Sequence, residues 1–233
     1  MRHARRSHGK SLEIQAMTIT GLVTFIAAYH YLRIFNSWVD AYEFKAGHVD
    51  PVVTGQPFND AYRYVDWLLT VPMLLAEIVF VMKLSDEEKS SKAWSLGAAA
   101  ALMIVLGYPG ELILNESELG TRWVYWTAAM VPFVYIVYTL LVGLQDAIKA
   151  EADAEVAKLL NMACLSTVIS WCTYPVVYVL PMMGLSGSQA VVGIQLGYCV
   201  SDVIAKCGVG FLTYNITIAK SRAEDKPYVP LRG

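Results

Sequence analysis

The stretch Arg63-Tyr-Val-Asp66-Trp67-Leu-Leu-Thr70-Val-Pro-Met-Leu74-Leu-Ala-Glu77 sets three charged side chains in an otherwise apolar run. Wound as an α-helix, it puts Asp66, Thr70 and Glu77 on one face, because four and eleven residues are close to one and three whole turns. Glu77 then stands about 16 Å from Asp66 along the axis. Arg63 lies about a turn to the other side of Asp66. Two carboxylates so far apart suit a proton relay better than an ion cage, since a cage brings its ligands together.

The run belongs to an apolar segment over 61–83, one of six in the chain, with the others at 12–38, 93–114, 121–144, 157–181 and 190–219. Each approaches the roughly 20 residues that cross a bilayer as a helix. Composition agrees: of 233 residues, 56% are hydrophobic and 16% charged, against about 25% charged in soluble domains. The expected fold is an all-α membrane protein, a bundle of six transmembrane helices. Its parts are a basic cytoplasmic N-terminal segment (1–11), the bundle (12–219) and a cytoplasmic C-terminal tail (220–233). A net charge of −2 gives no basic field for nucleic acid. Lys and Arg divide 13 to 2 between alternate helix ends, leaving Lys45 and Arg122 on the poorer side. Basic loops stay in the cytoplasm, so both termini are expected there. Cys164, Cys172, Cys199 and Cys207 all fall in apolar segments without metal-ligand spacing. They read as buried thiols with neither a disulfide nor a metal.

A charge at bilayer depth costs several kcal/mol unless paired or hydrated, so each one is a candidate functional residue. Asp202 and Lys206 are four apart and share a face of the last helix. They form either a structural ion pair or a site where a buried amine acts as a Schiff-base nucleophile. Glu77, among Leu74, Leu75, Ile78 and Val79, is either a proton carrier kept neutral by desolvation or a residue snorkelling to the interface. His30, on the first segment, is either a partner to these charges or a core histidine. Trp67, Trp126, Trp171, Tyr174 and Tyr178 lie at mid-membrane depth, as plain packing or as the walls of a ligand pocket. Pro175 removes a backbone hydrogen bond and is expected to kink its helix.

With these residues in place, the sequence resembles the microbial rhodopsins. The run from Arg63 to Glu77 is similar to the third helix of that family's proton pumps. Trp171-Cys-Thr-Tyr-Pro175 is similar to the sixth, and Asp202-Val-Ile-Ala-Lys206 to the seventh. Ala28-Tyr-His-Tyr-Leu-Arg-Ile-Phe35 and Pro57-Phe-Asn-Asp-Ala-Tyr62 most resemble the xanthorhodopsin-like and proteorhodopsin-like branch. The resemblance implies a light-driven outward proton pump, not an enzyme, in the cell inner membrane. It implies all-trans-retinal bound covalently to Lys206 as a protonated Schiff base. Asp66 would be counterion and proton acceptor, Asp202 the second counterion and Glu77 the cytoplasmic donor. Thr70 would complete the triplet, Arg63 would sit on the extracellular side, and His30 would pair with Asp66. Trp67, Trp126, Trp171, Tyr174 and Tyr178 would line the chromophore, and Leu74 matches a colour-tuning position. A homo-oligomer, trimer or pentamer, follows by the same analogy.

Two departures accompany the resemblance. The family has seven helices and this chain shows six apolar segments; the one without a counterpart is the family's first. Trp126 stands where carotenoid-binding members have glycine, so no antenna carotenoid is expected. The competing readings are a retinal-binding photosensor and a truncated rhodopsin that does not pump.

Overall fold

The computed structural model describes residues 2–47 and 51–225. Its elements, in chain order, are α1 (Arg2–Ala41), the two-residue strands β1 (Tyr42–Glu43) and β2 (Val52–Val53), α2 (Ala61–Phe80), α3 (Asp86–Glu111), α4 (Leu119–Tyr138), α5 (Gln145–Lys149), α6 (Ala154–Trp171), α7 (Thr173–Tyr178), α8 (Gly187–Val203) and α9 (Val209–Asp225). Wider π turns at Thr139–Gly143 and Ile204–Gly208 extend α4 towards α5 and join α8 to α9. Among the described residues this makes six rods, one for each apolar segment. Their packing order is a closed ring: α1 on α2, α2 on α3, α3 on α4, α4 on α7, α7 on α8, α6 on α9, and α9 back on α1.

Five of the six rods pass as membrane spans on length and hydropathy: Ile14–Ala41, Asp86–Glu111, Glu116–Lys149, Ala154–Tyr178 and Gly187–Ala223. The sixth, α2, is long enough to cross. It is set apart by its charges, because every 18-residue stretch of it contains all of Arg63, Asp66 and Glu77. All three are fully buried, so these charges face the bundle axis and not lipid. Outward the rods present large apolar side chains, with Phe25, Val131, Ile169 and Phe211 all more than 60% exposed. That inversion is what a lipid solvent selects.

The boundaries depart from the sequence reading where local chemistry extends an apolar stretch. α3 starts at Asp86, not 93, because Ser85 and Glu88 form a reciprocal capping box that ties down the first turn. α1 is helical from Arg2 and α9 continues to Asp225, so helix runs into both polar ends; the tail beyond 225 lies outside the described residues. The polar segment after α1 is not wholly irregular, since Tyr42 pairs with Val53 and Glu43 with Val52 in an antiparallel hairpin. The expected kink is found one turn before Pro175, where the rod breaks at Cys172 between α6 and α7. A proline at 175 cannot donate to the Trp171 carbonyl, and its ring crowds that turn. Of the cysteines, Cys164 is buried and Cys199 half-buried, but Cys172 and Cys207 are exposed. Apolar surroundings for these two mean the outer faces of their rods and not the core, which corrects the expectation of four buried thiols. All four are free thiols.

Two cores flank the bundle's middle. The larger is aliphatic, built on Leu75, Ile78, Leu96, Leu140, Leu160 and Ile216. The smaller is aromatic, with Tyr64, Trp67 and Tyr198 packed on Ile104, Val177 and Ile194. A cavity lined by residues of both opens between them.

Candidate functional site

Lys206 lies inside the π turn Ile204–Gly208, 4% exposed, in the lining of that cavity. Its Nζ donates to Asp202 Oδ2 at 3.0 Å and to Asp66 Oδ2. The Asp202 bond spans four residues, as a single helical turn allows; the Asp66 bond crosses from α9's rod to α2. A π turn winds wider than an α turn and is frequent at functional sites. Nothing in the sequence signals it.

Asp202 is the hub. Beyond Lys206 it accepts from Tyr31 Oη at 2.7 Å, Trp67 Nε1 at 3.0 Å and Tyr174 Oη at 2.5 Å. Arg63 stands behind Tyr31: its Nη1 donates to Tyr31 Oη at 3.0 Å, its Nη2 to Gln195 Oε1 at 2.6 Å, and its Nε meets Asp60 Oδ1 at 3.4 Å. Two buried cations, Lys206 and Arg63, thus balance two buried carboxylates, Asp66 and Asp202. Pairing of this kind, with Asp60 as a further partner of Arg63, is what lets charges persist at this depth. Asp66 keeps one oxygen, Oδ1, without a hydrogen-bond partner among the described residues.

Thr70, expected to act with Asp66, bonds that residue's backbone: its Oγ1 donates to Asp66 O at 2.8 Å. His30 is buried on α1, but no hydrogen bond joins it to Asp66 among the described residues, and its Nδ1 has no partner. The geometry therefore brings Lys206, Asp66, Asp202 and Arg63 into one network and leaves Thr70 and His30 beside it. Glu77 is fully buried on α2, away from the others, and accepts from Thr20 Oγ1 of α1 at 2.8 Å.

The cavity wall contains Trp67, Leu74, Trp126, Trp171, Tyr174 and Tyr178, every aromatic singled out from the sequence, together with Lys206. A mostly apolar wall with a few convergent polar groups is what small-molecule sites share. Trp67 is held edge-on against Tyr174 and Tyr198, at 5.2 and 4.9 Å between ring centres. Trp126 Nε1 donates to Pro175 O at 3.2 Å, tying α4 to α7 across the wall.

Several working residues escaped the sequence reading. Tyr31 lies in a quoted motif but carries no charge to draw attention. Glu111 and Arg122 fall inside the apolar segments 93–114 and 121–144, so the rule that singles out Asp66 applies to them equally. Both are buried and paired at 3.3 Å. Arg122 also donates to the carbonyls of Gly110, Glu111, Ile113 and Tyr178. An arginine read as a loop charge is in fact a buried bolt at the bundle's end.

Comparisons with known proteins agree with this architecture. The sequence pattern of the bacteriorhodopsin-like protein family matches residues 4–220. A green-light absorbing proteorhodopsin from Gamma-proteobacterium EBAC31A08 is 27% identical over 207 residues, covering 88% of this chain and 75% of that protein. Archaerhodopsin-3 of Halorubrum sodomense is 32% identical over 203 residues, 86% of this chain and 70% of its own length. Among solved structures, xanthorhodopsin, described as a light-driven ion pump with dual chromophore, superimposes with a TM-score of 0.82 at 42% identity, covering 96% of this chain and 92% of that one. The match along nearly the whole chain, at the identities found, carries one conclusion: this chain belongs to the bacteriorhodopsin-like family.

Proposed function

We propose that this chain is a light-driven ion pump that moves protons outward across the cell inner membrane, using all-trans-retinal bound covalently at Lys206. The observation that carries the reading is the bonding of Lys206 Nζ to both Asp66 and Asp202, with Glu77 buried on the Asp66 helix. Eleven residues separate the two α2 carboxylates, about 16 Å of helix.

The residues present fit the cofactor. A cavity walled largely by aromatic rings takes in a buried amine that is bonded to two carboxylates. When bound, retinal supplies light absorption and an isomerisation that reorients the proton on the Lys206 nitrogen.

The chain's own groups then give direction. Asp66, with Oδ1 uncommitted, takes that proton, and its neutralisation removes one of the charges holding the nitrogen. Asp202, fixed by Tyr31, Trp67 and Tyr174, keeps its place as the remaining anion. Arg63, braced by Tyr31, Gln195 and Asp60, marks the outward side. Glu77, in the aliphatic half, returns a proton to the nitrogen from the cytoplasmic side. Transport is vectorial because one carboxylate accepts on one side and a different one donates from the other.

Carotenoid is excluded in this reading, because the Trp126 indole, bonded to Pro175 O and packed on Trp123 at 5.5 Å, fills the wall between α4 and α7. The basic segment 1–11 and the tail from 220 lie in the cytoplasm, and the chain assembles as a trimer or pentamer.

The test is illumination of cells or vesicles that carry the chain with all-trans-retinal, with external pH recorded. Acidification outside a right-side-out membrane, abolished by an uncoupler, supports the reading. A retinal pigment with no pH change points to a photosensor, and a chain forming no pigment contradicts the reading outright.

A further inference from the structure

At the outer end of the aromatic core, a buried carboxylate has no part in the scheme above. Glu111, at the C-terminal end of α3, is 4% exposed. Its Oε1 meets Arg122 Nη2 at 3.3 Å, and its Oε2 accepts from both Tyr64 Oη at 3.1 Å and Tyr198 Oη at 3.0 Å. Both tyrosine rings press on one indole: Tyr64 and Tyr198 lie 5.0 and 4.9 Å from Trp67. Trp67 Nε1 in turn donates to Asp202, which receives Lys206. Every link from Glu111 to Lys206 is therefore a hydrogen bond or ring contact made inside the bundle.

We propose that Glu111 is a positioning residue for the charge cluster at Lys206: bolted by Arg122, it sets the two tyrosines that orient Trp67 towards Asp202, and so tunes how readily that cluster takes up a proton. The inference rests on the retinal-pigment reading above.

Two observations favour tuning over packing alone. A hydrophobic side chain would fill the space at 111 without requiring two phenol donors, an arginine and three helices to converge on it. And the tyrosines it holds are cavity-wall residues, so the cluster touches the site directly. The groups facing Asp202 are Tyr31 from α1, Arg63, Asp66 and Trp67 from α2, Tyr174 from α7, and Lys206 on its own rod. Those facing Glu111 are Tyr64 from α2, Arg122 from α4, Tyr178 from α7, Tyr198 from α8, and Asp60 ahead of α2. Losing the bolt lets the indole turn away, and the cluster loses the hydrogen bond that Trp67 Nε1 donates to Asp202.

The experiment is an acid titration of the visible band in the full chain reconstituted with all-trans-retinal. Wild type is compared with Glu111→Leu, Glu111→Gln and the double variant Tyr64→Phe/Tyr198→Phe. Loss of one hydrogen bond to the cluster should raise the acid midpoint by about 0.4–1.1 pH units, roughly 2.5- to 12-fold in proton concentration. Glu111→Leu and the double phenylalanine variant should shift alike, and Glu111→Gln, which keeps an acceptor oxygen, by less than half as much. The phenylalanine variant keeps both rings and decides the matter if Glu111→Leu does not fold. A wild-type pigment whose midpoint ignores the phenylalanine pair overturns this inference alone. A wild-type chain that takes up no retinal overturns the pigment reading, and this inference falls with it.

Discussion

Thr20→Val isolates one bond in the proposed cytoplasmic half of the pump. Thr20 Oγ1 donates to Glu77 Oε1 at 2.8 Å, and the Thr213 hydroxyl also faces the carboxyl. Valine keeps the branched shape that packs against Gly210, so the variant deletes the hydroxyl and little else. A net hydrogen bond is worth about 0.5–1.5 kcal/mol. When Glu77 gives up its proton, the anion left behind lacks that donor, so the transfer to the Lys206 nitrogen should slow by about 2- to 12-fold. Gly210 offers an independent route to the same end. A Cβ added there would meet Thr20 Cγ2 at 2.8 Å, too close for either to stay put. Gly210→Ala should therefore push Thr20 off Glu77 and slow the same step. The assay is flash photolysis of the retinal-reconstituted protein, following recovery of the visible band. Unchanged recovery in both variants would refute the role of Thr20, and faster recovery would invert the argument.

Three further outcomes follow from the same geometry. Glu77→Gln should leave the colour intact and slow recovery by about 10²- to 10⁴-fold, the worth of a positioned proton donor; recovery at the wild-type rate removes Glu77 from that role. Arg122→Ala breaks a buried pair with Glu111 and removes a donor from four backbone carbonyls. Loss of that pair should cost about 3–5 kcal/mol, a fall in Tm of about 6–20 °C at 2–4 °C per kcal/mol, read by thermal bleaching; a fall under about 2 °C would show the bolt to be dispensable. The fluorescence excitation spectrum of the pigment with added carotenoid should lack a carotenoid band in wild type, and a sensitised band would contradict the closed wall at Trp126.

The sequence made the rods legible because lipid imposes long apolar stretches, and their charges legible because each is costly there. Lys206 with Asp202, and Asp66 with Glu77, could be set on common faces from spacing alone. Helix spacing orders residues along one rod. It does not say which rod faces which, so the Lys206–Asp66 bond from the last rod to α2 needed either the family resemblance or the coordinates. Tyr31, Trp67 and Tyr174 converge on Asp202 from three elements, a convergence with no trace in linear order. The π turn at Lys206 is likewise set by packing and not by composition. Glu111 and Arg122 were missed for a different reason. They lie near the ends of their segments, where a charge looks like a loop residue, although each side chain is buried. The same bias trimmed α3, whose capping-box start is polar, and set α2 apart from the other rods by its charges. Thr70 and His30 show the converse limit: both belong to matched motifs, yet neither bonds the Asp66 side chain among the described residues.

The central claim is that Lys206 and its two carboxylates form a retinal-binding charge cluster. Membranes carrying the chain should be given all-trans-retinal and their visible absorption recorded beside Lys206→Ala. The account predicts a band that requires Lys206 and moves to the red as Asp66 takes up a proton in acid. A band that persists in Lys206→Ala, or no band in the wild-type chain, would contradict it.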